Sequence, residues 1–156
     1  MNNVTINAEE LPMPGWSGAA ESFAVKVLEE IERDNWELSV LFCGNKTIRS
    51  LNNQYRNNDE ATDILSFELG ETVKDGEKDV FLPGDIVISL ETLRENAQYF
   101  KISEDEELRR LLIHGILHLN GMDHRTIDSD EPMLVLQEQI LDKLKNERII
   151  AHGGKD

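Results

Sequence analysis

Residues 108–124, LRRLLIHGILHLNGMDH, carry the most informative pattern in this chain of 156 residues. From Leu111 to Leu119 apolar residues occupy almost every side of the predicted helix, which indicates a helix in the centre of the protein rather than at its surface. Asn120 and Gly121 then form a helix C-terminal signal, because glycine readily adopts the left-handed conformation that ends a helix. The stretch therefore predicts a buried helix followed by a sharp turn.

Three of the chain's four histidines lie in this stretch. His114 and His118 are four residues apart, so their imidazoles project from one helix face and can reach one ion. The turn at Gly121 can bring His124 to the same ion and leaves a fourth ligand position free for water, as in catalytic zinc sites. A lone histidine in an apolar helix is more often a core residue, but three at this spacing favour metal binding. We expect one transition-metal ion per chain, Zn²⁺ in the first place, although Ni, Cu or Fe would also suit three imidazoles.

The spacing also matches the extended zincin signature H-E-x-x-H-x-x-G-x-x-H at its three histidines and its glycine. Gly115 stands where the zinc peptidases carry their glutamate. Peptide hydrolysis needs a general base at that place, and glycine cannot act as one. The sequence therefore predicts a zincin-like metal helix without the chemistry of a protease.

Strands and helices alternate in the first half of the chain and separate in the second. Ser103 and Glu106 match a capping box at the start of the histidine helix. Residues 71–83, ETVKDGEKDVFLP, read as a long polar connection. This order predicts an α/β (α+β) fold, in which a small mixed four-stranded β-sheet is covered by helices. The predicted strands are 4–7, 37–43, 62–69 and 84–90, and the predicted helices are 17–35, 46–56, 93–100, 103–119 and 131–147.

Composition predicts one soluble globular domain over residues 1–150 and a flexible tail at 151–156. Hydrophobic residues make up 39% and charged residues 30% of the chain, as is usual for soluble proteins. No window approaches the about 18 apolar residues of a membrane span, and the N-terminus does not resemble a signal peptide. Cys43 is the single cysteine, so no intramolecular disulfide forms. We expect a cytoplasmic protein that does not bind membranes.

The net charge of −15 argues against general nucleic-acid binding, because the protein and the phosphates repel each other. Residues 38–58 nevertheless lack acidic side chains. On the helix predicted for residues 46–56, Lys46, Arg49 and Arg56 share one face, opposite an apolar face of Ile48, Leu51 and Tyr55. A local basic face of this kind can bind a nucleic-acid strand weakly, and weak binding would make a ribosomal or protein partner important.

Three motifs resemble those of the YbeY family, the bacterial endoribonucleases of ribosomal RNA maturation. They are HGILHLNGMDH at 114–124, LNNQYRNNDEATDILSFEL at 51–69 and GDIVISL at 84–90. Their order and spacing also match, whereas Ala61 departs from the proline usual in the family. The resemblance implies a single-strand-preferring, metal-dependent endoribonuclease that acts in 16S rRNA 3′-end maturation and ribosome quality control. It further implies that His114, His118 and His124 bind the metal and that Arg56 is functionally important.

The missing glutamate matters less for RNA than for peptides, because RNA carries its own nucleophile, the 2′-hydroxyl. The reaction needs positive charge near the phosphorane oxygens, and a guanidinium suits that need. We therefore expect Arg56 to be catalytic, and Arg49 and Lys46 to bind substrate. The expected partners are ribosomal RNA, the small ribosomal subunit and ribosome-associated proteins.

Two other functions remain open from the residues. One is a non-catalytic ribosome-assembly protein in which the metal site is structural, and the other is a metallohydrolase of another substrate class. The sequence does not separate the nuclease from the assembly protein, because both need the histidines.

Overall fold

The computed structural model describes residues 1–151, which form a four-stranded sheet and five helices. This arrangement confirms the predicted fold class. The tail predicted for 151–156, with His152 in it, lies outside the described residues from position 152 onward. The strands are β1 (Asn3–Ala8), β2 (Glu37–Cys43), β3 (Ile64–Asp75) and β4 (Lys78–Ser89), and the helices are α1 (Ser17–Glu30), α2 (Asn45–Arg56), α3 (Leu90–Phe100), α4 (Glu104–Leu119) and α5 (Pro132–Lys143).

The sheet has the order β1-β2-β4-β3. β1, β2 and β4 are parallel, whereas β3 pairs antiparallel with β4 and forms one edge. Successive side chains of a strand point to opposite faces. Ile86 and Ile88 of β4 accordingly pack in the main core with α4, whereas Val87 packs with Ile48 of α2 in a smaller cluster. Helices α2 and α4 therefore cover opposite faces of the sheet.

Helix α4 is central, as the sequence predicts. It contacts the sheet through β3 and β4 and also contacts α1, α3 and α5. Its start matches the predicted capping box, because the Ser103 hydroxyl accepts a hydrogen bond from the Glu106 N–H (3.0 Å). None of the helices within residues 1–151 combines the length and the apolar character needed to cross a membrane.

Two predicted helices are shorter in the structure. Helix α1 ends at Glu30 rather than near residue 35, because Glu32 and Asn35 adopt φ values of 59° and 58° and turn the chain into β2. Helix α5 occupies Pro132–Lys143 rather than residues 131–147. Local apolar spacing does not mark either end.

The polar connection predicted for residues 71–83 is wrong. These residues extend β3 and β4 into a long hairpin with a two-residue turn at Gly76 and Glu77, where Gly76 has φ 68°. Glycine at the first of the two turn residues, as Gly76 is here, is typical of such a hairpin turn. Most of the hairpin tip is exposed, which explains why its strands carry so many polar residues.

A bulge separates the tip of the hairpin from its base. Leu69 and Gly70 of β3 lie opposite Pro83 of β4, so the strand register shifts there. Proline has no N–H for the ladder, and a bulge is one of the few places where a strand tolerates it. Gly84 follows with φ 136°, and a Cβ at this position would overlap the Phe67 carbonyl oxygen. The bulge therefore requires glycine at position 84, at the level where β3 reaches the functional site.

Candidate metal centre and cleft

The three histidines predicted to bind metal meet at the C-terminal end of α4. His114 and His118 project one turn apart from one face of the helix, and both are half-buried. Gly121, with φ 90°, turns the chain so that His124 returns to the same point. One nitrogen from each ring lies within 4.8 Å of the other two. In the described part of the chain, this is the one group of three or more His, Cys, Asp or Glu residues that meets this condition.

Hydrogen bonds fix the orientation of each ring. Each imidazole donates its Nδ1–H to an oxygen: His114 to Gln137 Oε1 (2.6 Å), His118 to the Met122 carbonyl (3.1 Å) and His124 to the Thr126 carbonyl (2.7 Å). Because an oxygen acceptor requires the proton on Nδ1, the neutral ring keeps an unprotonated Nε2. Nε2 is therefore the ligand atom that each ring offers.

The positions of these nitrogens fit a metal ion. Nε2 of His114 lies 3.0 Å from Nε2 of His118. Two unprotonated nitrogens cannot hydrogen-bond each other, and their lone pairs repel unless a cation lies between them. In a tetrahedral zinc site with Zn–N bonds of about 2.0–2.1 Å, neighbouring ligand nitrogens lie about 3.3 Å apart. The three histidines can therefore hold one transition-metal ion and leave a further ligand position open.

Burial favours the neutral, metal-binding form of His114 and His118. It lowers the pKa of His114 below the ordinary imidazole value, and the neighbouring His118 and His124 lower it further. Burial also lowers the pKa of His118. Because protons and metal ions compete for the same nitrogens, a lowered imidazole pKa favours the metal at neutral pH.

Gln137 of α5 supports the first ligand and was not predicted from the sequence. Its side chain is buried, and its Nε2 donates to Glu138 (3.1 Å), which turns its Oε1 toward His114. Arg110 of α4 donates two hydrogen bonds to Glu138 (3.0 and 3.1 Å). The sequence did contain a signal, because this polar residue lies on the buried stripe of α5 formed by Met133, Ile140 and Leu141.

An open cleft of about 630 Å³ leads to the histidines along the edge strand β3. Arg56, the last residue of α2, lines this cleft together with His114 and His118. Its Nη2 donates to the Ser66 carbonyl of β3 (2.6 Å), and its guanidinium carbon lies 5.5 Å from the centre of the Phe67 ring. The structure thus brings the predicted catalytic arginine to the same cleft as the predicted ligands, across the edge of the sheet.

The neighbouring Tyr55 does not pack as the helical pattern suggests. It is 61% exposed, and it contacts the Phe67 ring edge-on at 5.3 Å between ring centres. Ile48 is fully buried and Leu51 is partly buried, as expected for the apolar face. The tyrosine lies beyond the sheet edge, where the core under α2 ends.

The two other basic residues predicted to bind substrate lie outside this cleft. Arg49 and Lys46 line a separate depression beside Asp59 and Glu60. Arg49 donates two hydrogen bonds to the Asp59 carboxylate (2.8 and 3.2 Å). An acidic residue from just beyond the acid-free stretch therefore partly neutralises the basic face. A substrate-binding role for Arg49 and Lys46 stays a prediction.

Asp123 belongs to the loop that carries the third ligand. Its Oδ1 accepts a hydrogen bond from the His124 backbone N–H (2.8 Å) and lies 3.9 Å from His118 Nδ1. The carboxylate also lines the cleft. It therefore holds the ligand loop in place from the solvent side, next to two of the three imidazoles.

Gly115 occupies the position of the zincin glutamate, and the structure gives a packing reason for it. A Cβ on this residue would lie 2.9 Å from Ile86 Cδ1 and 3.1 Å from Ile64 Cδ1. The glycine therefore allows α4 to lie close to β3 and β4. The place that a protease uses for its general base is here a contact between the helix and the sheet.

Comparison with known proteins adds an independent observation. The profile of the family described as Endoribonuclease YbeY matches residues 4–145. The chain is similar to Endoribonuclease YbeY of Treponema denticola, with 47% identity over 83% of this chain and 84% of that protein. It is also similar to Endoribonuclease YbeY of Treponema pallidum, with 45% identity over 98% of this chain and 95% of that protein.

A solved structure shows the same fold. The solution structure of TM1509 from Thermotoga maritima is similar to this chain with a TM-score of 0.62 and 27% sequence identity. The similarity covers 98% of this chain and 99% of that one. The mixed sheet and its helices are therefore shared over the full length of both proteins.

Proposed function

The chain belongs to the YbeY endoribonuclease family, and from this premise we propose that it is a metal-dependent endoribonuclease that prefers single-stranded RNA. We further propose that it acts in 16S rRNA 3′-end maturation and in ribosome quality control. The observation that carries the proposal is the open cleft where Arg56 lies beside His114 and His118. A purely structural metal site would have four protein ligands and no cleft leading to it.

The residues of the cleft have separate tasks in this proposal. His114, His118 and His124 would hold the ion, Zn²⁺ in the first place. The bound ion would supply a Lewis acid for phosphodiester cleavage. Arg56 would bind the phosphate oxygens as negative charge develops on them, since a guanidinium donates two parallel hydrogen bonds to such a group. The Ser66 carbonyl and the Phe67 ring hold this guanidinium, so it needs little reorganisation when substrate binds.

The acidic charge of the protein supports a need for binding partners that bring the RNA to the cleft. With a net charge of −15, most of the surface repels nucleic acid, and of the three basic residues of α2 only Arg56 reaches the metal cleft. Salt-sensitive, weak binding of free RNA is the expected consequence. We propose that the small ribosomal subunit and ribosome-associated proteins present the RNA to the cleft, and that this takes place in the cytoplasm.

A cleavage assay on single-stranded and duplex RNA of the same sequence tests the proposal. The purified protein, loaded with Zn²⁺, should cut the single strand internally and leave the duplex largely intact. His114→Ala, purified in parallel, should lose both metal and cleavage. This variant also controls for contaminating nuclease, because a contaminant would survive the substitution.

The same assay separates the nuclease from a non-catalytic assembly protein. If the metal-loaded wild type and His114→Ala cut RNA equally slowly while only the wild type supports 16S rRNA maturation in cells, the nuclease assignment is wrong. The assembly function would then explain why those cells need the metal site.

A further inference from the structure

A second groove continues the metal cleft beyond His114. It has a volume of about 450 Å³ and lies between the start of β3, the end of α3 and the facing sides of α4 and α5. Ile64 and His114 line both the cleft and this groove, so the two adjoin at these residues. Adjoining depressions suit an endonuclease, because the strand it cuts continues on both sides of the scissile phosphodiester.

The charges along the groove disfavour a phosphate there. Glu106, Glu107 and Asp63 line it. Arg110, the cation among its lining residues, is already bound by Glu106 (3.1 Å) and Glu138 (3.0 Å). A phosphate in this groove would face an excess of carboxylates and a guanidinium that is already paired. The occupant of the groove should therefore be uncharged.

The apolar wall of the groove favours a flat ring. Phe100 at the end of α3 lines the groove and is 61% exposed. Ile102 and Leu111 extend this wall, whereas the amide of Gln137 is already bonded to His114 and Glu138. A nucleobase combines a flat face for aromatic stacking with polar edges, and proteins that bind single strands commonly stack bases on exposed aromatic side chains.

We propose that this groove is a nucleobase subsite of the endoribonuclease. An unpaired base close to the scissile phosphodiester stacks on Phe100, while the phosphate itself lies between the histidines and Arg56. This inference rests on the proposed function. It also provides a physical reason for a single-strand preference, because a base paired in a duplex cannot turn into the groove without first breaking its pair.

Single-turnover cleavage of a short single-stranded RNA by four metal-loaded proteins tests the subsite: wild type, Phe100→Ala, Phe100→Trp and Met13→Ala. Met13 is the control, since this apolar residue is 47% exposed and lines neither the metal cleft nor the groove. The neighbouring Tyr99 would be a poor control, because its ring contacts Phe100 edge-on at 5.1 Å between ring centres. Phe100→Ala should lower kcat/KM by about fivefold to a hundredfold, the range for one lost base–aromatic stack. Phe100→Trp should retain the wild-type rate, and Met13→Ala should stay within about twofold of it.

The same proteins should then cut RNAs that carry an abasic nucleotide at one position at a time around the mapped cleavage site. At one position, the missing base should slow the wild type by the factor that Phe100→Ala shows on intact RNA, and the variant should lose nothing more. Metal content and melting temperature should match across the four proteins.

Each other result overturns the subsite. A wild-type rate for Phe100→Ala on intact RNA would contradict stacking on Phe100. An equal slowing of the wild type at every abasic position would contradict a subsite for one particular base. Equal losses for Phe100→Ala and Met13→Ala would instead indicate a general surface effect, and a loss confined to ribosome-bound RNA would indicate a protein partner on this wall. Failure of the proposed function looks different, because the metal-loaded wild type would then cut none of these RNAs.

Discussion

Arg56 is the residue that separates a nuclease from a metal-binding scaffold. It is exposed on α2 and held by the Ser66 carbonyl, so Arg56→Ala should leave the fold and the metal content intact. Cleavage should fall by about 10²-fold or more, as for the loss of one donor to a developing oxyanion. Arg56→Lys should restore only part of the rate, because an ammonium lacks the two-pronged geometry. Single-turnover cleavage, metal content and melting temperature measure these effects.

Arg49→Ala is the matched control for this prediction. Its guanidinium is paired with Asp59 outside the metal cleft. The variant should bind RNA slightly more weakly and with a flatter salt dependence, as expected for one lost phosphate contact, and should retain its single-turnover rate at saturation. A wild-type rate for Arg56→Ala would show that the catalytic assignment is wrong, whatever Arg49→Ala does.

Gln137 should affect metal affinity rather than the fold. Its Oε1 accepts the Nδ1–H of His114 and thereby directs Nε2 toward His118, where the ion would bind. Gln137→Leu keeps the size of the side chain and removes this acceptor, so we expect metal affinity to fall by about 10- to 100-fold. Gln137→Glu should retain more of the affinity than Gln137→Leu, since carboxylates commonly hold metal-bound histidines, although the new carboxylate would face Glu138 without the N–H that Gln137 donates to it. Titration against a chelator of known affinity measures both, and equal affinities of wild type and Gln137→Leu would contradict the prediction.

At the level of elements, the bulge of the β3–β4 hairpin sets the path of the cleft wall. A Cβ at Gly84 would overlap the Phe67 carbonyl oxygen, and the residue has φ 136°. Gly84→Ala should therefore lower the free energy of unfolding by about 2–3 kcal/mol. Gly70→Ala is the control in the same bulge, because it has φ 69° but open space around it, and should cost about 1 kcal/mol. Urea unfolding measures the free energy of unfolding of both variants. Equal losses would show that the positive φ, and not the close contact with Phe67, makes glycine necessary at position 84.

Elements that local sequence signals determine could be predicted, whereas features that depend on tertiary packing could not. Helix α4 and its histidines are encoded locally, by apolar residues almost all round, a capping serine and a glycine stop, so the meeting of the three histidines follows from the sequence. The hairpin tip does not, because its exposed strands carry polar residues instead of an alternating apolar pattern, and only Gly76 marks the turn. The spacing along α5 places Gln137 on the buried face, but its bond to His114 depends on how α5 packs on α4. The pairing of Arg49 with Asp59 likewise appears only once α2 ends and the chain turns back.

In the whole molecule, the metal should act as a link between elements. It would join α4 to the loop of His124 and, through Gln137, to α5. An ion at about 1,000 times its dissociation constant adds about 4 kcal/mol to the free energy of unfolding. For a domain of this size, each kcal/mol raises Tm by about 2–4 °C, so a chelator should lower Tm by about 8–16 °C. Calorimetry with and without chelator measures this. His124→Ala, which lacks one of the three ligands, should show the lower Tm of the chelated wild type whether or not chelator is present.

The same link should weaken in acid. Burial lowers the pKa of His114 and His118 in the folded protein, so between the ordinary imidazole value of about 6.5 and the lowered values the unfolded chain binds more protons than the folded one. Stability from the neutral rings is therefore present above pH of about 6.5 and declines as the pH falls through the folded-state pKa values. Protons displace the ion over the same range, so the Tm of the loaded protein should fall faster with acidification than that of the chelated protein, until the two curves meet. A Tm difference that stays constant from about pH 8 to pH 5 would mean that the ion is not held by imidazoles.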